Sequence, residues 1–244
     1  MMYLIVDVGN TRVKVAVFEN DIIVADFVFL KDELIGKLQK IISNFSISNS
    51  IISSVASFTK QEVEKITQLI HPIFLDSTTK VPFTNLYGTP KTLGVDRIAL
   101  AAAAIKKYPH KNTLVIDAGT CITYEFITQE GEYLGGAISP GIKMRYKALN
   151  TFTSKLPLLN PAPVTDFIGI DTNTSIHSGI VNGVCNEIKG LINQYTRKFQ
   201  DLTVVLTGGD TKFLEEQLKS VIFAQPNFIL EGLHSILIYN LAND

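Results

Sequence analysis

The chain has 244 residues, 22 basic and 23 acidic side chains, a net charge of −1, and 46% apolar against 18% charged residues. This near-neutral balance argues against a broad nucleic-acid-binding face, which needs a local excess of Lys and Arg, and the apolar share is enough to build buried cores. Only two cysteines occur, Cys121 and Cys185, with no CxxC pair and no His at metal spacing, which argues against a zinc centre or a disulfide framework and fits reduced thiols in the cytoplasm.

The opening MMYLIVDVGN has neither a basic region nor a cleavage site, and no apolar run approaches about 18 residues, so neither a targeting segment nor a membrane partner is expected. The first strands, Tyr3 to Val6 and Val13 to Phe18, are rich in Val and Ile. Between them Gly9 and Asn10 are hairpin residues that tolerate positive φ. Backbone N–H groups of such a turn form an anion-binding concavity, to which Thr11 adds a hydroxyl and Lys14 a charge; the fitting anion is a phosphate. Asp7, just before the turn, would on its own be read as a turn former. Ile22 to Leu30 is expected as a third strand, Asp32 as a helix cap, and Glu33 to Asn44 as the helix it starts. A strand over Ile51 to Val55 and a helix over Lys60 to Ile70, with Val63, Ile66 and Ile70 on its apolar stripe, follow; His71 before Pro72 is a helix-end cap. Thr78 to Leu93, interrupted by Pro82, Gly88 and Pro90, is a loop long enough to be functional. The Ala-rich run from Ile98 to Ile105 is helical, so Asp96 and Arg97 fall at or just before its first turn, where capping is the simplest local reading of Asp96.

The chain then repeats itself. Leu114 to Phe126 restates the first hairpin, with Asp117 and Gly119 standing to Ile116 as Asp7 and Gly9 stand to Val6. A duplication at about half the length implies two lobes, 1–112 and 113–244. Glu132 to Ala137 is the third strand of the second lobe, and Gly135-Gly136-Ala137-Ile138-Ser139-Pro140-Gly141 leads from it into a helix; its glycines suit either a tight turn or a backbone that approaches a substrate. Pro157, Pro161 and Pro163 mark an irregular crossing. A long helix over Thr174 to Phe199 follows, with Thr172 as a candidate N-cap, His177 as a packed or interface side chain, and Lys189 and Arg197 on a solvated face. A buried strand over Leu202 to Leu206, the turn Thr207-Gly208-Gly209-Asp210, a helix over Phe213 to Lys219 and an amphipathic helix over Leu230 to Leu241 complete the pattern. The Walker pattern GxxxxGK[ST] is absent, which argues against a P-loop.

The duplicated strand, acidic turn, strand unit resembles the superfamily of acetate and sugar kinases, the heat-shock chaperone ATPase and actin, in which two such turns grip the phosphates of ATP. With Gly94-Val95-Asp96-Arg97, Gly135-Gly136 followed by Ile138, Pro140 and Gly141, and Thr207-Gly208-Gly209-Asp210 in that order, the chain is similar to the type III pantothenate kinases over nearly its whole length. The resemblance implies an α/β fold of two duplicated ribonuclease H-like lobes, each a mixed five-stranded sheet with helices, and an ATP cleft between them. It implies ATP-dependent phosphorylation of pantothenate to 4′-phosphopantothenate, the first step of coenzyme A biosynthesis. Asp96 would be the catalytic base, with Tyr87, Gly94, Val95, Arg97 and Thr172 at the substrate, Thr172 reaching in from the partner of a homodimer. ATP would be held by the turn Asp7-Val8-Gly9-Asn10-Thr11-Arg12-Val13-Lys14 and by Thr120, Gly208 and Gly209. Asp117 would bind a monovalent cation, K⁺ or NH₄⁺, and Asp7 would reach Mg²⁺ through water. Tyr87 could equally be a packing lid. Cys121 stands where the family usually has Ala, a change that a buried small thiol should make easily. Competing readings are a small sugar or acid kinase of the same superfamily, whose chains are usually longer and lack Gly-x-Asp-Arg, and a non-catalytic nucleotide-binding regulator of the same fold, against which the intact Asp7, Asp96 and Asp117 count.

Overall fold

The structure is a computed structural model that describes residues 1–55, 57–218 and 223–243. Val- and Ile-rich segments form the antiparallel hairpin of β1 (Met2–Val8) and β2 (Val13–Glu19), and β3 (Ile22–Phe29) pairs antiparallel with β2 after a turn at Asn20, φ 55°. Asp32 is not a helix cap. It lies inside a single 3₁₀ turn, Lys31–Glu33, where the Glu33 carboxylate accepts the Leu30 N–H at 3.1 Å, and α1 (Leu34–Asn44) begins after it.

Strand β4 (Ile47–Ser54) begins earlier than its apolar run suggests, because it pairs parallel with β1 along that strand's whole length. Helix α2 (Lys60–Ile70) matches expectation and is started by a reciprocal Thr59–Glu62 cap. His71 ends it through a left-handed backbone, φ 42°, and an N–H bond to Thr67, so the cap is main-chain rather than imidazole. The two-residue strands β5 (Ile73–Phe74) and β6 (Thr84–Asn85) are too short to leave a periodic signal, and β6 sits in what the sequence presents as plain loop. Helix α3 spans Val95–Lys107.

Strands β7 (Thr113–Ala118), β8 (Cys121–Ile127) and β9 (Glu132–Pro140) restate the meander, followed by α4 (Ile142–Thr151) and α5 (Thr172–Lys198). Strand β10 (Thr203–Thr207), α6 (Thr211–Leu218), β11 (Phe223–Ala224) and α7 (Phe228–Ala242) complete the chain; Lys219, expected at the end of α6, lies outside the described residues. The first sheet has the order β3-β2-β1-β4-β5. The second contains β9-β8-β7-β10-β11, the same order and the same antiparallel first pair, with β6 added where it pairs with Glu132 and Tyr133. The duplication read from the sequence is therefore a duplication of topology.

The chain forms two compact units, one of Met1–Pro109, Gly131–Tyr133 and the segment from Asn227 onward, and another of His110–Glu130 and Leu134–Pro226. The change of unit between Pro109 and His110 lies beside the lobe boundary expected near residue 112, and α7 returns to α3 in the first unit. The reason is a close helix–helix approach: a Cβ at Gly232 would lie 1.9 Å from the Ala99 carbonyl oxygen, so only glycine fits. Helix α7 is also not amphipathic; Phe228, Ile229, Leu230, Leu233, His234, Ile236 and Leu237 are all buried.

Within the first unit, period-two alternation sorts β1. Leu4, Val6 and Val8 join the core formed with α1 and α2, whereas Tyr3, Ile5 and Asp7 point to the opposite face, where Tyr3 meets His234 of α7. In the second unit Leu114, Ile116 and Ala118 of β7 pack with α4, α5 and α6, and the same alternation sends Val115 and Asp117 the other way.

Candidate active site

Asp7 is the penultimate residue of the central strand of its sheet, flanked in register by Lys14 on β2 and Ser53 on β4. It is 7% exposed. Burial pushes its carboxyl up to about 6, the Ser53 hydroxyl and the Lys14 ammonium act to lower it, and the negative charge of Asp96 raises it further. Ser53 Oγ donates to Asp7 Oδ1 at 2.7 Å. Burial is thus the main reason that its ionised form is disfavoured, and a divalent cation beside it would favour that form.

Above Asp7 the turn of residues 9–12 departs from expectation. Neither Gly9 nor Asn10 has positive φ. Glycine is wanted at position 9 because the chain folds back tightly: Gly9 N–H donates to Arg12 C=O at 3.1 Å, and a Cβ would lie 3.2 Å from that oxygen. Asn10, Thr11 and Arg12 are exposed, Lys14 half-buried, and Val8 and Val13 buried, so this is a polar turn seated on an apolar hairpin with an acid beneath it.

Asp96 lies in the first turn of α3, on the side of the sheet that Asp7 faces, and its charge reaches Asp7. It is not the N-cap; that position is Gly94, which makes no side-chain cap bond. Gly94 has another use. A Cβ there would lie 2.4 Å from Asp96 Oδ1, so its bareness gives the carboxylate its place, where it accepts the Arg97 N–H at 2.9 Å. Arg97 is 6% exposed; its Nη1 donates to the Tyr87 hydroxyl at 3.4 Å and its guanidinium lies 5.3 Å from the Tyr87 ring centre. Tyr87 packs in turn near Tyr133, with ring centres 6.1 Å apart. The fold thus brings Asp7, Lys14 and Asp96 within electrostatic reach in one unit, and joins Arg97 to Tyr87 beside them.

In the second unit Asp117 is half-buried, with Thr123 of β8 and Thr207 of β10 as register partners. The turn after it is shorter: Gly119 N–H donates to Cys121 C=O at 2.8 Å, and Thr120 is exposed. Gly208, φ +98°, lies against Asp117; a Cβ there would be 2.4 Å from Asp117 Oδ1 and 2.3 Å from the Ala118 carbonyl. Gly209 faces open space. The Thr123 hydroxyl, on the same face as Asp117, is buried without a hydrogen-bond partner. Among the described residues no group of three or more His, Cys, Asp or Glu could hold a metal. Cys121 is half-buried rather than buried.

The glycines of β9 and its end serve the backbone. A Cβ at Gly136 would lie 1.6 Å from Tyr124 C=O, and one at Gly141 would lie 2.2 Å from Gly119 C=O; Gly141 N–H donates to Thr120 C=O at 3.1 Å. Arg145 carries no signal in the sequence, yet its guanidinium binds Pro140 C=O, the Ser139 hydroxyl and Glu187 at 2.8, 2.7 and 2.6 Å, while Tyr124 donates to Glu187 at 3.1 Å. No local pattern marks this network, because its members lie on β8, β9, α4 and α5. Thr172 is the exposed first residue of α5 and does not cap it; Asp171 does, accepting the Thr174 N–H at 2.8 Å. His177 packs inside the unit, 2.7 Å from the Tyr146 hydroxyl. Two cavities, about 330 Å³ beside Phe126 and Tyr195 and about 290 Å³ beside Phe18 and His234, are lined by none of Asp7, Asp96 or Asp117.

Two copies of one five-stranded order, each carrying an acid near the end of its first strand, define a duplicated α/β fold of the kind found in sugar kinases and related ATPases. Solved structures agree: a glucokinase from an Antarctic psychrotroph (TM-score 0.55, 12% identity, 98% of this chain and 99% of that one) and the ADPNP-bound activator of a 2-hydroxyisocaproyl-CoA dehydratase from Clostridium difficile (0.57, 12%, 100% and 95%) share it. A Baf-family transcriptional activator from Campylobacter jejuni superposes with TM-score 0.66 at 22% identity over 98% of this chain and 99% of that one. The chain belongs to the type III pantothenate kinase family, whose sequence profile matches residues 3–194. Relatives carrying that name are 48% identical in Christiangramia forsetii, over 98% of this chain and 99% of the relative, and 46% identical in Flavobacterium johnsoniae over the whole of both.

Proposed function

We infer that this protein transfers the terminal phosphoryl group of ATP to the primary hydroxyl of pantothenate, making 4′-phosphopantothenate at the entry to coenzyme A synthesis. Family membership over the full length supports the substrate, and one geometric observation supports the chemistry: Asp96 lies in electrostatic reach of buried Asp7 and has its carboxylate seated over Gly94.

Asp96 accepts the proton of the pantothenate hydroxyl as its oxygen forms a bond to the γ-phosphorus and the bridging bond to ADP breaks. Arg97 and Tyr87 hold the substrate with Gly94 and Val95. The turn from Asp7 to Lys14, with Thr120, Gly208 and Gly209, binds ATP, the exposed N–H groups and Lys14 meeting phosphate charge. Magnesium, when bound, supplies neutralisation of the phosphates, and Asp7 is the residue that would hold it, through water. A monovalent cation, K⁺ or NH₄⁺, would sit at Asp117 and offset charge at the nucleotide.

The active form is a homodimer in the cytoplasm with Thr172 reaching the partner's substrate. Phe167, Ile168 and Ile170, large apolar residues exposed just before Thr172, support a covered surface there. Among the described residues no helix is long and apolar enough to cross a membrane.

Incubation with ATP, Mg²⁺ and pantothenate, with and without K⁺, tests the reading. ADP formation that depends on pantothenate and rises with K⁺ is the expected result. Turnover indifferent to pantothenate would favour another kinase of the superfamily, and no turnover a regulator.

A further inference from the structure

Strand β4 carries two buried serines, Ser50 and Ser53, around the apolar pair Ile51 and Ile52. Buried hydroxyls are costly unless bonded, and both are bonded, but to different kinds of partner. Ser50 Oγ donates to the Ile70 carbonyl at 2.7 Å, tying β4 to the end of α2. Ser53 is 1% exposed and donates to Asp7 Oδ1 at 2.7 Å.

The second bond follows from register. In the parallel β1–β4 pair Asp7 stands opposite Ser53, and residues paired in register project to the same face. An ionised carboxylate can only accept, so the single proton of Ser53 is committed to Oδ1, and the second oxygen of Asp7 is left for other partners. Without the hydroxyl, the carboxylate would be free to turn about its last torsion. The second unit repeats the arrangement at the level of register: β10 places Thr207, also buried, opposite Asp117. A small hydroxyl residue beside the strand-one acid recurs in both copies, although the strands around it differ in sequence.

We propose that Ser53 is a positioning residue for phosphoryl transfer, which clamps one oxygen of Asp7 and so orients the other toward the metal–nucleotide. The assignment rests on the reading of Asp7 as the magnesium-side acid.

The test compares Ser53→Ala, Ser53→Cys, Ser50→Ala and Asp7→Asn in the full-length protein. Three quantities are read: the Mg²⁺ concentration for half-maximal rate, the pantothenate KM, and calorimetric binding of Mg²⁺ with a non-hydrolysable ATP analogue, which needs no turnover. Ser53→Ala is expected to raise the half-saturating Mg²⁺ and weaken the analogue about tenfold or more, the range typical of groups that orient metal ligands, with pantothenate KM unchanged. Cysteine fills the same space with a far weaker donor and should be as impaired as alanine. Ser50→Ala should lower thermal stability and leave all three quantities alone. Full function in Ser53→Cys, or an Mg²⁺ effect of equal size in Ser50→Ala, would reduce Ser53 to packing and overturn the proposal. If Asp7→Asn destroys Mg²⁺ dependence while Ser53→Ala does not alter it, the positioning role alone fails; if Asp7→Asn leaves it intact, the reading of Asp7 fails first.

Discussion

The hairpins β1–β2 and β7–β8 are built from one pattern and present their acids differently. In the first, the last register pair, Val8 with Val13, leaves residues 9–12 to turn, and Asp7 faces Lys14; in the second, Ala118 with Ile122 leaves residues 119–121, and Asp117 faces Thr123. Asp7 is buried beneath its turn, and that burial raises its carboxyl, whereas Asp117 is half-buried with Gly208 pressed against its carboxylate. Equal strand patterns thus specify the acid's position and face, while turn length and cross-strand partner set what the acid can do. Under the proposed function, the acid opposite Lys14 and within reach of Asp96 is the one assigned to the nucleotide, and the acid opposite the unpartnered Thr123 hydroxyl is the one assigned to a monovalent cation.

Substitutions can separate these environments. The largest effect is expected outside both hairpins, at the acid whose charge reaches Asp7: Asp96→Asn should lower kcat at least about a hundredfold with ATP KM nearly unchanged. Steady-state kinetics that show an unaltered kcat would remove Asp96 from the role of base and leave its link to Asp7 without a purpose.

The two turns also differ in how they use glycine. Gly208→Ala must place a Cβ 2.3 Å from a carbonyl oxygen at φ +98°, and should cost on the order of 3 kcal/mol, with loss of any K⁺ activation. Gly9→Ala meets only a 3.2 Å contact at ordinary φ and should cost less than about 1 kcal/mol. Equal losses in urea denaturation would mean that the turns are not different in strain.

Asp7→Asn should trade function for stability. A carboxyl raised to about 6 from an unfolded value of 3.8 favours the folded state fully below 3.8, and that contribution is lost as pH rises through 6. In the metal-free protein the asparagine variant should therefore be more stable than the parent by up to about 3 kcal/mol at pH 8, with a gain under about 1 kcal/mol near pH 4. A gain independent of pH would show that ionisation of Asp7 is not the cause. The smallest effect is expected at Cys121→Ala: its half-buried side chain should matter by about 0.5 kcal/mol or less in thermal melts, and slower loss of activity in peroxide would be the visible change.

Legibility followed locality. The paired hairpins, α2, α3 and the long α5 were readable because alternation, stripe and cap signals lie within a dozen residues. Asp7 and Asp117 stood out through the repeated hairpin, and Asp96 only through the resemblance that its Gly-x-Asp-Arg motif carries. The capping readings of Asp32, Asp96 and Thr172 did not survive, since Asx and Thr side chains near a helix start have several nearby partners and only geometry selects among them. Short β5, β6 and β11 left no trace, because two residues show no period.

What the sequence determined alone is the duplicated topology and the placing of an acid at the end of the first strand of each copy: these depend on side-chain period and turn residues, which are local properties of the chain. Tertiary structure decided which neighbours those acids have. Ser53 beside Asp7, Gly208 against Asp117, the Arg145–Glu187 network and the return of α7 to α3 all arise from strands and helices distant in sequence. A parallel register or a close helix crossing is set by how whole faces pack, and that information is spread over the chain rather than written at the residues it joins.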